Sequence, residues 1–174
     1  MNEREFPERP MVGVGGVVID QGRALLVRRA REPALGEWTI PGGLLEVGES
    51  LAAAVERELR EETGLAVRVV ELIEALERIF SDSGEIRSEG GAGGVRTGRG
   101  EVTPTLGVRP RPRYHYVILD YLCERVSGDP AISEEISDLA FVPEQELPKY
   151  KLTPAATRVL HKAFAMVRGR GRGS

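Results

Sequence analysis

Two short apolar runs open the chain. Residues 11–20 (MVGVGGVVID) and 23–29 (RALLVRR) are β-type segments separated by Gln21-Gly22, and a glycine-bearing turn between two such runs predicts a hairpin. The next stretch, PALGEWTIPGG, is punctuated by proline and glycine and reads as loop with a short strand over 37–40. A helix then follows over 51–63. Ser50 stands at the N-cap position, LAAAVERELREET is rich in strong helix formers, and Gly64 is placed as a C-terminal stop. Directly after that stop Val67, Val69 and Val70 predict a strand over 66–80. The most strand-like run is 114–126 (YHYVILDYLCERV), aromatic and β-branched throughout, which belongs at the centre of a sheet. Beyond the turn Ser127-Gly128-Asp129-Pro130, Leu139, Phe141 and Val142 predict a last short strand. Residues 153–167 (TPAATRVLHKAFAMV) then open a second helix with Thr-Pro at its N-cap and N1 positions.

Between these elements, residues 83–112 hold eight glycines and three prolines with almost no apolar clustering, which predicts a flexible insertion. The six arginines and three glutamates of 84–113 read as a solvated charge run, with phosphate contact as the alternative. Residues 1–10 read as an N-terminal extension, 11–167 as the domain, and 168–174 (RGRGRGS) as a frayed basic tail.

Composition narrows the class. At 174 residues, 41% apolar and 29% charged, the chain predicts one globular domain with one core and one site. No apolar window is long enough to cross a bilayer, and the start MNEREFPERP is unlike a signal peptide, so a cytoplasmic protein without membrane contact is expected. The single cysteine, Cys123, lies in an apolar run and reads as a buried, inert thiol. A net charge of −3 gives no reason to expect binding to DNA, RNA or an anionic membrane.

The chemistry gathers on the first helix. On a wheel of ~100° per residue with Glu58 at zero, Glu62 falls at about +40° and Glu61 at about −60°, so three carboxylates share one face. Leu51, Val55 and Leu59 overlap that face, whereas Ala53, Glu56, Arg60 and Thr63 stand opposite as a solvated one. Clustered acids bordering a core repel one another, and Arg57 alone cannot neutralise three of them. A hard divalent cation, magnesium or manganese, suits such oxygens, while a surface helix laced by i,i+4 pairs is the alternative from the helix alone.

Read whole, GGLLEVGESLAAAVERELREETGL matches the Nudix box: Gly43, Glu49, Arg57-Glu58-Leu59, Glu61-Glu62, Gly64 and the aliphatic Leu65, all at the box's spacing. Trp38-Thr39-Ile40-Pro41-Gly42 resembles the segment that leads into that box, and the order of elements resembles the family's fold. The resemblance implies an α/β protein of Nudix type, an α/β/α sandwich with a mixed β-sheet between helices and a loop-helix-loop catalytic motif. It implies Glu58 and Glu62 as principal metal ligands, Glu61 as a further ligand or the group ordering the attacking water, and Gly42 as a backbone-carbonyl ligand. Arg57 and Glu49 would orient the glutamates. A late-loop acid is common among relatives, and Glu135 is chosen over Glu134 for that role. Arg29 resembles a position that contacts the nucleotide or its phosphates, and Trp38 could stack on a base or serve as a packing anchor.

The implied activity is divalent-metal-dependent hydrolysis of the pyrophosphate bond in a nucleoside diphosphate linked to another moiety, with ADP-ribose or a nucleotide sugar leading. A nucleotide-sanitising (d)NTP pyrophosphatase and a non-catalytic nucleotide-sensing module are the alternatives, and the complete set of box glutamates disfavours the latter. Homodimers are common among ADP-ribose-cleaving relatives, so that state is open. His115 and His161 read as strand and helix residues. GVGG at 13–16 is no dinucleotide fingerprint, because Val18 takes the third glycine's place.

Overall fold

The computed structural model describes residues 5–31, 34–81, 84–86 and 112–171. The expected hairpin is formed by β1 (Met11–Asp20) and β2 (Arg23–Arg29), antiparallel through Ile19↔Ala24 and Asp20↔Arg23. The loop that follows contains β3 (Trp38–Thr39) and β4 (Gly42–Leu44). Next come helix α1 (Leu51–Thr63), β5 (Ala66–Ser81), β6 (Gly84–Ile86), β7 (Tyr114–Ser127) and β8 (Ile136–Pro143). A 3-10 segment, Glu144–Tyr150, leads into α2 (Pro154–Arg170). The sheet order is β3-β2-β1-β7-β5-β6, with β4 on β1 and β8 on β2, so β7 is central as its composition predicts.

Both helix starts obey their sequence signals. Ser50 Oγ accepts from the Ala53 N–H at 3.2 Å, and Thr153 Oγ1 accepts from the Ala156 N–H at 3.2 Å. Gly64, at φ +73°, ends α1 in the left-handed region. α2 runs three residues beyond the predicted helix, into the expected tail. Arg168 pairs with Glu144 and Arg170 with Glu71, and cations in a last turn also oppose the helix dipole. The predicted loop 83–112 starts instead with a strand: β6 pairs with β5 through Ile79↔Ile86. Residues 87–111, most of the predicted insertion, lie outside the described residues.

The chain divides into two compact units, residues 1–13 with 75–118 and residues 14–74 with 119–174. In the first, Glu5 accepts from Arg113 and from the Tyr114 hydroxyl at 2.9 and 2.8 Å, and Tyr114 stacks on Tyr116. The second holds the core around α1: Val14, Val18, Leu25, Ala54, Val55, Leu59, Leu65, Val67 and Cys123. Burial pushes the Cys123 thiol up to about 12, which makes it inert as expected. Ala24 to Val27 are buried at four successive positions, and successive strand residues point to opposite faces, so both faces of β2 are covered. That is the expected α/β sandwich. At Gly16 a Cβ would come within 2.6 Å of Leu59 and 3.0 Å of Val55, so its absence lets α1 lie directly on β1.

β8 runs antiparallel along the whole of β2, from Arg23↔Pro143 to Arg29↔Ile136, with a register shift at Arg28/Arg29. That irregularity sits where β2 delivers its arginines, a place where bulges commonly re-aim side chains.

Candidate active site

The loop before α1 is organised by one arginine. Arg57 reaches back from the second turn of the helix and donates through Nε and Nη2 to both oxygens of Glu49, at 2.9 and 3.0 Å. Nη2 also donates to the Leu44 carbonyl at 3.1 Å, and Nη1 to Glu58 Oε1 at 2.8 Å and Glu61 Oε2 at 3.4 Å. A planar fork serves several acceptors at fixed angles, which a lysine cannot do. Bonding to Arg57 holds the Glu49 carboxyl below its ordinary range, and the same bond pushes Arg57 upward.

Glu58 and Glu62, one helical turn apart, are 9% and 2% exposed. The Gly42 N–H donates to Glu62 Oε2 at 2.9 Å. Glu58 lies over Gly43, where a Cβ would stand 2.3 Å from the carboxylate, so the first box glycine is a cradle for this side chain. Burial pushes Glu62 up to about 7, against the lowering effects of the Gly42 bond and of Arg29, while the charges of Glu58 and Glu135 push it up further. Burial likewise raises Glu58, with Arg57 pulling it down and Glu61 and Glu135 adding to the rise.

The structure therefore brings Glu49, Arg57, Glu58, Glu62 and Gly42 into one bonded cluster, and places Arg29 and Glu135 close enough for their charges to be felt at Glu62. Glu135 is set by the Ala30 N–H, which donates to its carbonyl at 2.9 Å, and its carboxylate stands 3.5 Å from Arg31. Glu61 differs from its place on the wheel: its side chain is 63% exposed, at the cluster's edge and not against the core. Thr63, expected on the solvated face, is fully buried. Its carbonyl accepts from the Ala131 N–H at 2.9 Å and its hydroxyl donates to the Leu59 carbonyl, so the chain after Gly64 folds over it. Trp38 meets Tyr150 edge-on, with ring centroids 4.9 Å apart.

Sequence reasoning missed the Leu44 carbonyl, which carries no side-chain signal, and Arg31. For the latter, the opposite charge runs Arg28-Arg29-Ala30-Arg31 and Glu134-Glu135 stand in the sequence, but nothing local says that they meet. An open groove of about 770 Å³ along α2, lined by residues such as Thr157, His161 and Ala165, includes none of the box residues.

The donor set at the box fits a hard divalent cation. Two buried carboxylates, both driven toward the protonated form by burial and by neighbouring carboxylates, would be relieved by a cation that accepts oxygen ligands and keeps several waters. Among the described residues no three carboxylate, imidazole or thiol side chains stand at mutual ligating spacing, so backbone carbonyl and water would complete the coordination.

Comparisons with known proteins identify a family. A family model described as the NUDIX domain matches residues 9–163. The chain is 41% identical over 64 residues to a Methanocaldococcus jannaschii protein named ADP-ribose pyrophosphatase, covering 37% of this chain and 38% of that one. It is 45% identical over 71 residues to a MutT-like protein of Streptomyces ambofaciens, covering 40% and 44%. The chain thus spans about two-fifths of the length of these curated relatives. Over a longer region, 146 residues, it is 27% identical to the nucleoside triphosphatase NudI of Escherichia coli, covering 83% and 89%. A solved MutT NUDIX hydrolase from Burkholderia pseudomallei superposes with a TM-score of 0.66 at 27% identity, covering 89% of this chain and 98% of that one. With the box in place on its loop and helix, the chain belongs to the Nudix family.

Proposed function

We propose that the protein hydrolyses the pyrophosphate bond of a nucleoside diphosphate linked to another moiety, with ADP-ribose or a nucleotide sugar as substrate. The observation that carries this reading is the pair of buried carboxylates, Glu58 and Glu62, held by Arg57 and the Gly42 N–H at the mouth of the box loop. Magnesium or manganese would be held by Glu58, Glu62 and the Gly42 carbonyl, with Glu61 as a further ligand or as the group that orders the attacking water. When bound, such a cation neutralises phosphate oxygens and makes a water acidic enough to attack near neutral pH. The chain's own residues do the rest. Arg57 and Glu49 fix the loop and the glutamates, Arg29 faces the substrate's phosphates, and Glu135 orients or deprotonates water from the opposite side. Trp38, edge-on against Tyr150, is the residue on which a base could stack.

A second reading, a nucleoside triphosphate pyrophosphatase, is favoured by one observation: the likeness to NudI extends over 83% of this chain, against 37% for the M. jannaschii protein. Sensing modules often lose box glutamates, and all of them are present here, which disfavours that reading. A small nucleotide substrate fits a cytoplasmic location, with the protein acting as monomer or homodimer and without DNA or RNA. No helix among the described residues is long and apolar enough to cross a membrane.

The test is a panel of ADP-ribose, nucleotide sugars, dinucleotides and (d)NTPs with magnesium or manganese and product identification. AMP from ADP-ribose supports the first reading and inorganic pyrophosphate from a triphosphate the second. Absence of cleavage across the panel contradicts both.

A further inference from the structure

The end of β2 carries three arginines with different fates. Arg28 is committed, donating through Nε to the Gly36 carbonyl at 2.9 Å. Arg29 acts through its charge on Glu62. Arg31 faces two carboxylates, with Nη1 3.5 Å from Glu135 Oε1 and Nη2 3.6 Å from Glu134 Oε2. Those separations exceed hydrogen-bond length, and the three side chains are 58%, 52% and 92% exposed in the order Arg31, Glu135, Glu134. Ion pairs so solvated hold their partners with little net free energy.

The backbone beneath them is fixed. The Ala30 N–H donates to the Glu135 carbonyl, and Arg29 lies in register with Ile136, so side chains can change partners there without moving the strands. Glu135 adds its charge to those acting on Glu58 and Glu62, and Arg31, 3.5 Å from Glu135, is one ion pair removed from them. A pyrophosphate approaching that cluster carries more charge than a single solvated carboxylate, and its oxygens match a guanidinium fork in two-pronged geometry.

We propose that Arg31 is a substrate-positioning residue whose guanidinium leaves Glu134 and Glu135 for the pyrophosphate of the bound nucleotide, freeing the Glu135 carboxylate to face the box glutamates. The inference rests on the hydrolytic reading above. It gives the rim two states: without substrate Arg31 screens Glu135, and with substrate Glu135 stands unscreened next to the reacting group. Removing Arg31 thus weakens substrate binding but leaves Glu135 unscreened, so turnover at saturation persists.

The experiment is steady-state kinetics of Arg31→Ala and Arg31→Lys on the best-cleaved member of the panel, with Arg60→Gln on the exposed helix face as a charge-matched control. Folding is checked by thermal melting. The alanine variant is expected to raise KM about tenfold with kcat within about twofold, and lysine to recover part of the loss. The wild-type KM is expected to rise with salt and the alanine variant's to rise less, because an exposed charge contact is screened. An unchanged KM overturns the proposal. So does a fall in kcat at constant KM, since that makes Arg31 a mere tether for Glu135. Calorimetric binding of ADP with calcium separates this proposal from the hydrolytic reading. If the wild type cleaves nothing, that reading fails, yet about tenfold weaker ADP binding by Arg31→Ala still supports the arginine's role. Equal binding by the two proteins, or none by either, overturns it.

Discussion

Arg57 and Arg31 both pair with glutamates, and they are held in opposite ways. Arg57 is 23% exposed and makes five hydrogen bonds, two of them to one carboxylate. Arg31 is 58% exposed and makes two long ion pairs. The difference separates a floor from a rim. Buried, multiply bonded groups keep their geometry whether or not a ligand is present, and so supply the fixed electrostatics that phosphoryl chemistry needs. Solvated pairs exchange partners at little cost, and so suit a group that must release one anion to receive another.

The largest effect should come from the floor's carboxylates. Glu62→Gln keeps the acceptor for the Gly42 N–H but removes the charge, and hydrolysis is expected to fall by about three orders of magnitude or more. The same variant should melt at a higher temperature without metal at pH 7.5, because it no longer buries an ionised group. A lower melting temperature would mean that the carboxylate serves the fold and not the site.

Gly43→Ala comes next. Its Cβ would meet the Glu58 carboxylate, the far end of a side chain that is nonetheless tied to Arg57, so the carboxylate must shift while the fold adapts. Turnover should drop about 100-fold with only a few degrees lost in melting, since displacement of a catalytic group by about an ångström is costly to rate. Equal losses in rate and stability would contradict the cradle.

The third prediction is a pH dependence of the metal-free protein. With Glu62 raised to about 7 in the folded state against 4.5 unfolded, the folded chain binds more protons across that interval, so stability falls as pH rises from 4.5 through 7 and then levels. The difference is about 3 kcal/mol at ~1.4 kcal/mol per unit, and added magnesium should reverse it at pH 7.5. Glu49, Glu74 and Glu144 are lowered, so their contributions are lost only as pH falls through their depressed folded values, below this window. Denaturant melts at pH 5 and 7.5, with and without metal, measure it.

Smallest within the floor is Arg57→Lys. Charge is kept but the fork to Glu49 and the Leu44 carbonyl is lost, for about 1–2 kcal/mol of stability and about tenfold in kcat. If kcat were unchanged, the loop would not need the fork.

Much of this was legible in the sequence because it depends on local rules. Ser50, Gly64 and Thr153-Pro154 bound the two helices through contacts within a few residues, and the period of α1 put Glu58 and Glu62 beside Val55 and Leu59. What escaped depends on distant chain. Thr63 is buried because 131 returns to its carbonyl, and the last turn of α2 persists because Arg168 and Arg170 find Glu144 and Glu71. A helical wheel contains neither partner. Glu61 was grouped with Glu58 by angle alone, but the wheel does not say where the packed interior ends. The role of Arg31 required knowing that β8 brings 134–135 beside the end of β2.

The most direct measurement is a manganese titration followed by electron paramagnetic resonance of the free ion, on the wild type and on Glu62→Gln at pH 7.5. The account predicts saturable binding by the wild type that weakens when the pH is lowered to 5.5, as protons compete for Glu62, and at least about tenfold weaker binding by the variant. Binding of equal strength in the two proteins, or its absence from the wild type, would contradict the claim that the buried carboxylates of α1 form the cation site.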